Sequence, residues 1–305
     1  MHAFSHTGAE APIEPLSASS WLHGWVFEPV SALGLFGVGV LYLYGVWRLQ
    51  RRGTAWPAAR TLSFALLGLG SGVVATQSPI AAYDTVLLSM HMLQHMILTM
   101  VMPVFLALGA PVTLALRTLP RKPRGWLLTV LHSRVARVVS FPAVAFVLFV
   151  TSPWTLYFTG WYDATLVSPY LHDAMHAHFV LVGCLFFWPL LGLDPVPGRL
   201  AYPFRLLVVF ATLPFHAFLG VTIMSMTTPI AGDWYSSFDR TWGPTVMEDQ
   251  NLAGALLWAS GDIVGLVFFG VLFAQWVQQS SREAVREDRR LDRLEARARR
   301  AGAQR

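Results

Sequence analysis

Cysteine and charge are both scarce in this chain. A single cysteine, Cys184, excludes an intrachain disulfide and any metal motif built on paired cysteines. Charged residues make up 13% of the 305 positions, well under the roughly one quarter found in soluble domains, while 54% are hydrophobic. That balance excludes an ordinary soluble globule and points to a polytopic membrane protein. The first 29 residues carry no Lys or Arg, so the N-terminus lacks the cationic start of a signal peptide. The net charge of +5 taken alone suggests a nucleic-acid binder. Its distribution argues for no nucleic acid, because the basic residues fall between apolar stretches and in the tail, where they hold topology and meet the lipid bilayer.

Seven apolar stretches are long enough to cross a hydrocarbon core: 30–47, 60–77, 86–108, 136–158, 171–192, 203–226 and 251–277. In the third, Met102-Pro103 and Gly109-Ala110-Pro111 predict a kink or the start of a re-entrant piece. Segments rich in Lys and Arg alternate strictly with segments nearly free of them. Of 22 Lys and Arg residues, Arg240 alone falls on the poor side. Cationic loops stay in the cytoplasm. The fold class expected is therefore all-α, with seven transmembrane helices, the N-terminus outside and the C-terminus cytoplasmic. The organisation expected is an extracytoplasmic segment over 1–29, a membrane domain over 30–277 and an Arg-rich cytoplasmic tail over 278–305. The tail mixes signs and includes Glu295 four residues before Arg299, which reads as a solvated helix near the inner leaflet.

Topology assigns a depth to each of the ten histidines. His2, His6 and His23 lie in the outer N-terminal segment and His132 in a cytoplasmic loop. His91, His95, His172 and His176 fall in the outer leaflet. His178 is slightly deeper and His216 deeper still, about 15 Å from the outer end of its helix at 1.5 Å per residue. His91-Met-Leu-Gln-His95 and His172-Asp-Ala-Met-His176 share one spacing, which puts both rings of a pair on one helix face a turn apart. Two such pairs supply four nitrogens without help from a loop. His178 points about 200° away from His176 and is not expected at the same ion. Methionines accompany the pairs, Met92 in the first and Met175 in the second, and imidazole with thioether suits copper, Cu(I) above all. A lone helical His is more often a structural hydrogen-bonding residue, and Met is common membrane filler. Yet ionisable groups inside a bilayer are costly and default to function. The candidate metal set is therefore His91, His95, His172, His176, His216, Met92 and Met175. Asp249 and Gln250 open span seven at the same level. Asp249 reads either as the acceptor that orients a ligating imidazole or as a helix cap. Asp262, deep in span seven, needs a partner or a proton.

His91-Met-Leu-Gln-His95-Met with the following proline and Gly109-Ala110-Pro111, the His-rich start of span five with Phe187-Trp188-Pro189, Asp194-Pro195 with Arg199, and Asp249-Gln250-x-x-Ala253-Gly254 occur in one order. In these the chain resembles the seven-helix CtaG family of cytochrome c oxidase assembly factors, associated with caa-type oxidases. The resemblance spans roughly 30–277. It implies a multi-pass protein of the bacterial plasma membrane, a non-enzymatic copper-binding chaperone whose partners are cytochrome c oxidase subunits and a periplasmic copper chaperone. It carries over to His91, His95, His172, His176 and Asp249. Two readings of the same histidines remain beside it. A haem-binding or electron-transfer protein would use two of them as axial ligands. An intramembrane metal-dependent hydrolase would use them for zinc, but the sequence lacks a Glu beside the first His to act as base.

Overall fold

The computed structural model describes residues 14–238 and 240–302, with side chains to residue 294. Among them every regular element is a helix. Six are long and apolar enough to cross a membrane, and a bent pair makes a seventh. We label these α1 (Pro29–Arg51), α2 (Ala58–Tyr83), α3 (Leu88–Leu108), α4 (Pro142–Tyr157), α5 (Pro169–Leu191), α6 (Tyr202–Ser225) and α7 (Val246–Gly302). His2 and His6 lie outside the described residues.

Local chemistry sets the helix ends. Proline occupies the first turn of α1 and α5, where its missing N–H costs nothing. Ser168 Oγ caps α5 by accepting from Leu171 N, and Gly192 ends that helix in the left-handed region at φ +62°. Thr245 and Glu248 form a reciprocal capping box at the start of α7, with Thr245 N donating to Glu248 Oε2 at 2.8 Å and Glu248 N to Thr245 Oγ1 at 3.3 Å. From there α7 runs without interruption into the charged tail, and residues 276–294 are exposed throughout.

Two spans depart from simple rods. α4 ends at Tyr157 and turns by 68° into a short helix, Trp161–Val167. It also begins at Pro142, later than hydropathy suggested, because Arg134–Val139 forms a separate short helix capped by Ser133. α3 is continuous but widens into a π turn over Ile97–Val101. Pro103 explains the widening, since it has no N–H to offer the Thr99 carbonyl one turn back. The helix ends at Gly109, and Ala110 at φ +48° turns the chain into the Pro111–Thr118 helix.

Small residues let the helices approach closely, as packing in lipid requires. A Cβ added to Gly183 of α5 would lie 2.1 Å from the Thr99 carbonyl oxygen of α3. α6 and α7 cross at Gly220 and Gly254, where each glycine faces the other's carbonyl, and again at Gly261, which packs on the His216 side chain. At the Arg-rich end, Asp194 accepts from Val112 N, Thr113 N and Thr113 Oγ1, and Arg205 donates to the carbonyls of Leu190 and Leu200. These contacts bind the connections at that end and leave the histidine-bearing end to hold the site.

Candidate metal centre at the histidine-bearing end

α2 breaks at Ser78, re-forms over Pro79–Tyr83 and stops at Asp84, four residues before α3 begins. That turn inserts Asp84 among the helices. Its Oδ2 lies 3.1 Å from His172 Nε2, and both side chains are 1% exposed. His176 follows one turn along α5, its ring centroid 4.4 Å from that of His172. One potential ligand atom from each of Asp84, His172 and His176 lies within 4.8 Å of the other two.

Gln94 of α3 orients the third member. Its Nε2 donates to the Ala75 carbonyl at 2.9 Å, which directs Oε1 at His176 Nε2, 2.8 Å away. An amide oxygen only accepts, so Nε2 of His176 carries the hydrogen and Nδ1 keeps its lone pair. A metal-binding imidazole is held in this way when its second nitrogen is engaged.

The first histidine pair divides. His91 is fully buried, with its ring 6.2 Å from that of His172 and 4.8 Å from that of Tyr162. It borders the cluster. His95, a turn deeper, is occupied elsewhere. Its Nδ1 is 2.8 Å from Tyr157 Oη, and its ring stacks on Phe179 with centroids 3.9 Å apart. His216 lies in α6 with Nδ1 3.2 Å from its own helix's Thr212 carbonyl and its ring against Phe149. His178 turns to Ser152 of α4, at 3.0 Å, on another face from His176.

The methionines also face away. Met92 Sδ is 3.7 Å from Tyr157 Oη. Met175 lines a groove of about 440 Å³ between α4 and α5, beside Leu148, Ser152 and His178. Asp249 accepts from Ser89 N and Ser89 Oγ, so the carboxylate that opens α7 caps the first turn of α3. The carboxylate facing an imidazole is Asp84 instead. Gln250 accepts from Ile230 N at 2.7 Å and donates to the Ile223 and Thr228 carbonyls, which ties the loop after α6 to α7. Asp262 Oδ2 accepts from Trp258 Nε1 at 2.8 Å within its own helix.

The electrostatics at this end are negative. Glu28 stands just ahead of α1, and burial, with Asp84 and Asp173 nearby, pushes its carboxyl up to about 7. Tyr235, in the loop after α6, is hydrogen-bonded to Tyr162, and burial raises its hydroxyl well above the ordinary range. Two imidazoles and a carboxylate are a donor set for a borderline transition metal. Around a shared ion such donors stand about 3–4 Å apart, so closing on one asks for a contraction of about an ångström.

Asp84 and Gln94 are the site residues that sequence reasoning missed. Asp84 is the lone charge in its connection, and Gln94 is within the first His-x-x-x-His motif. Both signals are present but point to no partner.

Residues 40–279 match the family of cytochrome c oxidase caa3 assembly factors. An uncharacterized protein of Mycobacterium bovis is 40% identical over 304 residues, which is 95% of this chain and 45% of that protein. A Mycobacterium tuberculosis protein matches to the same extent. One from Mycobacterium leprae is 37% identical over 292 residues, 93% of this chain and 44% of the relative. The chain thus spans a little under half the length of these relatives. No solved structure matches it.

Proposed function

This chain belongs to the cytochrome c oxidase caa3 assembly factor family, and from that premise we propose that it binds copper at the histidine-bearing end and helps insert it into an oxidase subunit. The observation that carries this reading is the group of buried Asp84, buried His172 and half-buried His176, whose ligand atoms fall within 4.8 Å of one another. Copper is the cargo that an oxidase assembly factor with imidazole donors has reason to hold. Buried ionisable groups at membrane depth are costly and are kept for such work.

In this reading the protein binds and releases an ion without turning over a substrate. The Lys and Arg asymmetry supports an orientation with the N-terminus and the cluster on the outer side and the α7 tail in the cytoplasm. Its mycobacterial relatives support a bacterial plasma membrane. Metal would arrive from a periplasmic copper chaperone and leave to the oxidase. His91, which borders the three donors, is the residue best placed to take part in exchange.

The test is made in cells lacking the gene. Wild-type protein should restore the copper content and activity of the oxidase, and His172→Ala with His176→Ala should leave the oxidase copper-deficient while the variant still reaches the membrane. Full restoration by that variant would contradict the proposal.

A further inference from the structure

We propose that the ion accepted by Asp84, His172 and His176 is cupric copper rather than cuprous. The inference rests on the copper reading above and concerns which form of copper the same site takes.

The donor set is two nitrogens and a carboxylate oxygen. Cupric copper favours nitrogen and oxygen donors and stands at the top of the divalent affinity order. Cuprous copper favours thioether and thiolate. The chain has thioethers close in sequence to these histidines, yet it directs them elsewhere. Met92 sulfur meets the Tyr157 hydroxyl, and Met175 lines the groove on the α4 side of α5. Met90 packs against the cluster of Ala82, Tyr83 and Leu87. The one thiol, Cys184, lies buried two turns further along α5. The oxygen donor, by contrast, is built in. Asp84 is held at the 3.1 Å contact with His172 by the stop of α2, and Gln94 fixes the tautomer of His176.

The full-length protein in detergent is titrated with Cu(II), followed by electron paramagnetic resonance. In a separate anaerobic series it is titrated with Cu(I) against a chromophoric cuprous chelator. The expected result is one Cu(II) per chain with nitrogen hyperfine structure. Asp84→Asn, which keeps size and shape, should weaken Cu(II) binding by about tenfold or more, while Met92→Leu with Met175→Leu leaves the spectrum unchanged. Stoichiometric uptake of Cu(I) with no specific Cu(II) signal would overturn the inference and leave copper binding standing. So would a Cu(II) spectrum indifferent to Asp84→Asn, or one lost in the methionine variant. Failure to retain either form would overturn the copper reading itself.

Discussion

Gln94 Oε1 accepts the Nε2 hydrogen of His176 at 2.8 Å, across the interface of α3 and α5. The same amide is anchored by its nitrogen to the Ala75 carbonyl of α2. Three helices therefore cooperate to present one imidazole nitrogen. Replacing Gln94 by Leu removes the acceptor and frees the ring to change tautomer. Metal affinity should fall about 10–100-fold, the usual cost of losing a partner behind a metal-binding histidine. Competition titration of purified protein would measure it, with His176→Ala as the reference for complete loss.

Gly183→Ala should damage the site from a distance. The added Cβ would fall 2.1 Å from the Thr99 carbonyl oxygen and 2.6 Å from Pro103 Cγ, so α3 and α5 must part. Neither neighbour is the end of a flexible side chain. Overpacking of this kind costs about 1–3 kcal/mol or more. The expected outcome is a lower melting temperature in detergent together with weakened metal binding, because the His176–Gln94 contact bridges the same two helices.

Asp249→Ala should separate scaffold from site. It deprives Ser89 N and Ser89 Oγ of their acceptor at the start of α3. Leaving buried donors unpaired costs about 1–3 kcal/mol. Thermal unfolding should register that loss, while the metal affinity of the folded fraction stays near that of the wild type. A metal defect as severe as that of Asp84→Asn would instead make Asp249 part of the cluster.

Glu28 makes stability depend on pH. Its folded value of about 7 lies above the ordinary 4.5, so the folded chain holds an extra proton between those values. Stability from this group is greatest below about pH 4.5 and declines as pH rises through 7. Glu28→Gln should flatten the dependence of the melting temperature between about pH 5 and 8. An unaltered profile would show that burial does not raise the Glu28 carboxyl.

The architecture was legible because its causes are compositional. Long apolar runs and the one-sided placement of Lys and Arg leave few alternatives to a membrane bundle. Span four was expected to end at 158 and ends at Tyr157, but the short helix Trp161–Val167 that leaves it at 68° was not legible, since hydropathy carries no direction. The site was legible in part. The i, i+4 spacing brought His172 and His176 together, and His178 does leave on another face. The same spacing could not say that His95 would be taken by Tyr157 and Phe179 from α4 and α5. Asp84 was not legible as a site residue, because burial of a loop residue depends on how α2 ends. Methionine directions were equally hidden, as an unbranched thioether fits many neighbours.

Metal content of the purified protein decides whether Asp84, His172 and His176 hold copper. Chain isolated without chelators, or loaded with copper and desalted, should hold one copper per polypeptide by elemental analysis. Asp84→Asn combined with His172→Ala should hold none while keeping its helical circular dichroism. Equal copper in the two proteins, or zinc in place of copper in the wild type, would contradict the account.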